Sequence, residues 1–207
     1  MTQLSFAIGR PVLADRLFSR GIVMDGVLVA AGAALTAIAA QVVVPLWPVP
    51  ITGQTLAVLL VGSSLGALRG TLSMLLYAVL GIIGLPVFSE ASSGLGVVLG
   101  ASGGYIIGFI FAAAFTGWIA QRSWDRRILR AILAFLGGTV LVYAVGLPWL
   151  SFTLGYNLVE TLNAGFFPFI IGGIVKMLIA AAVITVGWTY IDREDQRRAS
   201  VELANRG

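Results

Sequence analysis

The chain has 207 residues, 58% of them hydrophobic and only 11% charged, whereas soluble domains are about a quarter charged; this excludes an ordinary water-soluble globule and predicts an all-α integral membrane protein with little mass outside the bilayer. It contains no cysteine and no histidine, which removes disulfides, thiol chemistry, and the commonest general base and metal ligand. The formal net charge of +4 does not signal nucleic-acid binding, because the arginines follow a membrane topology and leave no room for a basic domain.

Residues 1–21 carry Arg10, Asp15, Arg16 and Arg20 and lack the apolar core of a signal peptide. They read as a solvated amphipathic leader. A helix crosses a bilayer in about 20 mainly apolar residues, and six segments fit. The first, 22–44, stops at Pro45. A proline-rich stretch (Pro45, Pro48, Pro50) leads into the second, 52–68, and Arg69–Gly70 reads as a short turn before the third, 71–85. A glycine- and serine-rich loop holding Glu90 precedes the fourth, 103–120. The charged loop 121–130 precedes the fifth, 131–150. A connection with Glu160 and Asn163 leads to the sixth, 166–191, and a charged tail follows.

The cations define the orientation. They fall in the leader, at Arg69, at Arg122, Arg126, Arg127 and Arg130, and at Arg193, Arg197, Arg198 and Arg206 in the tail; with six spans these regions share one side, and the opposite loops carry only Glu90 and Glu160. The positive-inside rule puts both termini in the cytoplasm. The predicted organisation is a leader (1–21), a six-helix membrane domain with an outer pocket (22–191) and a cytoplasmic tail (192–207), in a multi-pass protein of the cytoplasmic membrane in contact with lipid. Trp47, Trp118, Trp149 and Trp188 suit the interfacial belt.

Several motifs carry chemistry or packing. The first span is crowded with small residues, and Ala30, Ala33, Ala34 and Ala37 let another helix approach closely, either within this chain or from a separate membrane subunit. In Pro48–Thr55, two prolines leave carbonyls without donors. Such backbone at membrane depth is tolerated where it is buried or lines a cavity; the alternative is a helix start with Thr52 as N-cap and Gln54 exposed. The outer loop ends in Phe88 and Tyr105 and reads either as a lid or as a flexible surface loop. No Gly-x-x-x-x-Gly-Lys-Ser/Thr occurs, so the usual phosphate cradle for ATP hydrolysis is absent.

The only lysine, Lys176, lies in a run from Phe166 to Thr189 with no other charged side chain. An ammonium at that depth costs about 2.5–3.5 kcal/mol on insertion scales and demands compensation. Lys176 lies about ten residues, or about 15 Å, from the outer end of its helix, which strains snorkelling to the headgroups. Gly172 and Gly173, one turn earlier, open a recess on the same face. A small anionic ligand is the expected guest, and a backbone carbonyl, Glu90 or Glu160 is the alternative partner.

Val-Pro-Ile-Thr-Gly-Gln-Thr-Leu (49–56), Gly-Ile-Ile-Gly-Leu-Pro-Val-Phe (81–88), Gly-Ala-Ser-Gly-Gly-Tyr (100–105) and Gly-Gly-x-x-Lys (172–176) resemble, in order and spacing, the BioY family of biotin transporters. These are the substrate-binding S-components of energy-coupling factor (ECF) systems. The resemblance implies six membrane helices, a biotin site under the outer loops, and a coupling subunit with ATPases that meets the alanine-rich first helix. This chain has Ala101-Ser102 where the family usually has Pro-Thr, and Ile171-Gly172-Gly173 where it usually has Pro-Gly-Asp, so the acidic residue expected in the ligand site is absent.

Biotin offers a carboxylate, an apolar chain and ring, and a ureido group. Lys176 is the candidate for the carboxylate, Gln54, Ser102 or Asn163 for the ureido group, and Phe88, Tyr105 and Trp149 for the ring; Glu90 and Gly173 complete the candidate site. No cofactor, metal or catalysis is expected, since no pair of acids lies within the spans for acid–base work. The alternatives are a transporter for another small carboxylated vitamin, or an autonomous biotin carrier.

Overall fold

The computed structural model describes residues 11–19 and 21–204; Arg10, Arg20 and Arg206 of the predicted cytoplasmic charge lie outside them. Four helical stretches are long and apolar enough to cross a membrane: α2 (Ile22–Ala40), α6 (Gly103–Ala120), α7 (Ile128–Leu154) and the run Leu158–Arg198. That run comprises α8 (Leu158–Gly165), a 3-10 turn (Phe167–Phe169) and the start of α9 (Ile170–Ala204). The second and third predicted spans form shorter helices, α3 (Gln54–Leu65) and α4 (Ala67–Ile82). With 12 residues, α3 is about 18 Å long against a hydrocarbon core of about 30 Å. It is enclosed by α2, α4, α6 and α9, so its ends meet protein rather than lipid.

The break between α3 and α4 falls at Gly66, whose φ of +87° favours glycine. Arg69 is therefore not in a turn. It sits in the first turn of α4, buried, and its guanidinium reaches Asp15 at 2.8 Å and Asp25 at 2.6 Å. This arrangement also corrects the reading of the leader as solvated. The short helix α1 (Leu13–Leu17) packs under α3 and α9, with Val12 and Ala14 buried. Leu13 packs against the core while Leu17 stays exposed, Asp15 meets the buried arginine, and Arg16 pairs with Asp195.

Three further expectations change. The connection after the fifth span is largely helical: α7 runs through Pro148 to Leu154 and ends at Gly155 (φ +67°), and α8 starts with a capping box in which Asn157 and Glu160 exchange bonds of 3.0 and 2.9 Å. The tail continues α9 without a break, since no glycine or proline interrupts residues 189–204. Trp188 is not interfacial. It is buried, its indole donates to Asp125 at 2.9 Å, and Ser63 donates to the same carboxylate at 3.1 Å. Trp47, 80% exposed, and Trp118, 46% exposed, do suit an interface. The small-residue face of α2 is divided: Ala33 is buried and Ala37 half-buried, while Ala30 and Ala34 face outward.

Candidate functional site

Two irregular segments close one end of the bundle. After α2 the chain forms a short hairpin, β1 (Val43–Val44) antiparallel to β2 (Ile51–Thr52), and Gly53 leads directly into α3. Thr52 shares in the helix start, its hydroxyl accepting from Gln54 N at 3.3 Å; Gln54 itself is buried, not exposed. The second segment, between α4 and α6, contains a 3-10 turn (Ser89–Ala91) and α5 (Leu95–Leu99). It is anchored rather than loose. Phe88 is 1% exposed and meets Tyr77 edge-on at 5.4 Å. Its ring occupies the space that a Cβ at Gly81 would take. Gln41 donates to Phe88 O and accepts from Ala91 N, both at 3.0 Å.

Beneath these segments lies a small, partly open hollow. Lys176, Gln54, Phe88, Ser102 and Tyr105 line it, together with Thr55, Phe109, Val142, Tyr143 and Phe169. Its walls are mainly apolar and aromatic, with a few convergent polar groups, the usual character of a small-molecule site. Lys176 Nζ donates to Thr52 O at 2.7 Å. One carbonyl thus holds the ammonium beside open space, and two of its three N–H groups have no partner among the described residues. Gly172 keeps this face shallow, since a Cβ there would come 3.9 Å from Lys176 Cε.

Other polar groups of the hollow are already engaged. Gln54 accepts from Thr52 Oγ1 and donates to Tyr77 Oη, both at 2.6 Å, and Tyr105 donates to Gly165 O at 3.0 Å. These two side chains shape the walls as well as facing the space. Glu90, Trp149, Asn163 and Gly173 lie outside the lining. Glu90 is exposed on the 3-10 turn with φ +57°. Trp149 donates to Gly100 O at 3.0 Å and so ties down the end of the outer loop. Asn163 is exposed on α8. Gly173 borders a separate apolar groove between α7 and α9, which shares Tyr143 with the hollow. Tyr143 was missed by the sequence reading, although a tyrosine in the middle of an apolar span is itself a signal, because its hydroxyl requires a polar neighbour or a cavity.

Residues 9–193 match the model of the BioY family. The chain belongs to the BioY family. A probable biotin transporter BioY from Pyrococcus horikoshii is 38% identical over 156 residues, covering 75% of this chain and 91% of the relative. The biotin transporter BioY from Thermotoga maritima is 34% identical over 150 residues, covering 72% and 87%. Among solved structures, the S-component for biotin from an ECF-type ABC transporter superposes with a TM-score of 0.69 at 28% identity, covering 79% of this chain and 89% of that one. This BioY-family chain thus shares the S-component fold.

Proposed function

We propose that this chain binds biotin in the hollow and takes it up across the cytoplasmic membrane as the S-component of an ECF transporter. The observation that carries the reading is Lys176: an ammonium at membrane depth, bonded to one carbonyl and facing a partly open hollow with aliphatic, aromatic and hydroxyl-bearing walls. A small acid with an apolar ring system compensates that charge and fills that space. Lys176 takes the carboxylate, Phe88, Tyr105 and Phe169 pack the ring, and Ser102 bonds the ureido group.

The reading includes six spans with both termini in the cytoplasm. The shorter α3 and α4 count as spans two and three, and the arginines of loop 121–130 and of α9 lie on the inner side. Residues 1–21 and 192–207 then form the inner cap and tail of a membrane domain at 22–191. The outward Ala30 and Ala34 are the α2 positions left for a coupling subunit, while Ala33 and Ala37 serve internal packing; ATPases act through that subunit. Purified protein should bind radiolabelled biotin and retain it in mass spectrometry. Lys176→Ala should weaken binding at least about tenfold, the scale of a lost charged hydrogen bond; unchanged affinity would remove Lys176 from the site.

A further inference from the structure

We propose that the seam between α7 and α9 binds an anionic membrane phospholipid. Arg126 and Arg130 take the headgroup phosphate, and an acyl chain lies along α7 in the groove the two helices leave between them. Two contacts fix the seam. The Arg126 guanidinium lies over the Trp188 ring of α9 at 4.1 Å, and Tyr143 of α7 meets Phe166, just before α9, edge-on at 5.1 Å. The two helices are therefore antiparallel. Near the arginines, Ala131, Ala134 and Phe135 share one buried cluster with Ala180, Ala181 and Ile184. Farther along, an apolar groove opens between Leu136 and Val140 on α7 and Ile170, Ile174 and Met177 on α9, with the Tyr143–Phe166 pair at its far end.

The groove continues onto an exposed face of α7. Leu129 and Leu133 lie on the same helical face as Leu136 and Val140, and all four are exposed. Leu129 to Val140 spans about 16 Å at the helical rise. That is about half of a hydrocarbon core of about 30 Å, the depth that the chains of one leaflet occupy. Arg126 and Arg130, both exposed, stand at the start of this stripe. Neither forms an ion pair among the described residues. The adjacent acid, Asp125, is buried and accepts from Ser63 and Trp188. Guanidinium groups match phosphate oxygens with paired N–H donors, and a phospholipid brings that anion to the end of the span where its own chain begins. A headgroup with net negative charge carries no cation to oppose the arginines. A second copy of the chain fits less well, since a two-fold axis along the membrane normal sets the same arginines of both copies against each other. The inference does not depend on the ligand hollow.

Native mass spectrometry of the purified full chain, with phosphatidylglycerol and phosphatidylcholine added in equal amounts, tests the site. The parent should retain phosphatidylglycerol in preference by at least about tenfold, the scale of two arginines facing an anionic lipid. Replacing both (Arg126→Gln with Arg130→Gln) should abolish that preference. Arg197→Gln with Arg198→Gln removes the same charge about 14 Å beyond Trp188 along α9 and should change the preference less than about twofold. Val140→Trp fills the groove and should weaken retention of both lipids alike. A parent indifferent to the headgroup, equal losses in the two arginine pairs, or unchanged retention in Val140→Trp would each overturn the inference, as would dimers in place of lipid adducts. Arg130 contacts no ring or carboxylate among the described residues. Arg130→Gln alone should therefore leave the fold intact and cut the preference roughly fivefold, which keeps the test decisive if the double variant does not fold.

Discussion

Replacing Arg69 by methionine tests whether buried charge holds the α1 end of the bundle together. The Arg69 side chain is 2% exposed, and its partners Asp15 and Asp25 are 4% and 0% exposed, so water does little to screen either contact. Methionine keeps much of the apolar stem but leaves both carboxylates without the guanidinium. Breaking a buried ion pair by removing one partner costs about 3–5 kcal/mol. For a chain of this length each kcal/mol moves Tm by about 2–4 °C, so Arg69→Met should melt about 10 °C below the parent in detergent. A second variant separates loss of the guanidinium from the effect of the carboxylates it leaves behind. Replacing Arg69, Asp15 and Asp25 together by Met, Asn and Asn removes the buried charges at once and should recover most of the loss. A single variant that melts within about 2 °C of the parent, or a triple variant no better than the single, would refute the reasoning.

Two further predictions concern the loops. Burial is the largest influence on Asp125 and pushes its carboxyl above the usual carboxylate range, while bonds from Trp188 and Ser63 and the charge of Arg126 pull the other way. The folded state therefore holds this proton more tightly than the unfolded chain does. Its contribution is fully present below the unfolded value of about 3.9 and is lost as pH rises through the raised folded value. Asp125→Asn should flatten that part of the Tm–pH curve, and parallel curves for parent and variant would exclude Asp125 as the source. At the hairpin end, Gln41→Ala removes both bonds that hold Phe88 O and Ala91 N. At about 1 kcal/mol per bond, biotin dissociation measured by ligand chase should quicken roughly fivefold or more; an unaltered rate would mean the loop is held without Gln41.

The sequence carried the class and the unusual charge. Apolar run length and the one-sided arginines indicated a helical membrane protein, and an isolated lysine among apolar residues pointed to a hollow that the fold does place beside it. Positions fixed by tertiary contact were less legible. Arg69 reads as a loop cation by the positive-inside rule, and only the approach of Asp15 and Asp25 from two other helices makes burial tolerable. Trp188 reads as an interfacial anchor until Asp125 supplies an acceptor. Trp149 reads as a ring platform, yet Gly100 O claims its indole. Local chemistry was readable but passed over in Asn157-x-x-Glu160, a capping box that marks α8 directly.

The two ends of the bundle treat buried polarity in opposite ways, and that contrast bears on function. At the α1 end the buried ionisable groups contact one another or other side chains: Arg69 lies between two carboxylates, and one oxygen of Asp125 accepts from Ser63 and Trp188. Such an arrangement strongly disfavours local opening, because separating the partners strands a charge. At the hairpin end Lys176 Nζ has one acceptor, Thr52 O, and the cover above it is held by single side chains, Gln41, Phe88 and Trp149. An uncompensated ammonium raises the energy of the empty site, so part of the binding free energy of an anion comes from relieving a cost the protein already bears. Selection for charge and ease of entry thus have a common origin in what the hairpin end of the fold leaves unsatisfied, while the contacts at the α1 end supply stability that makes this tolerable.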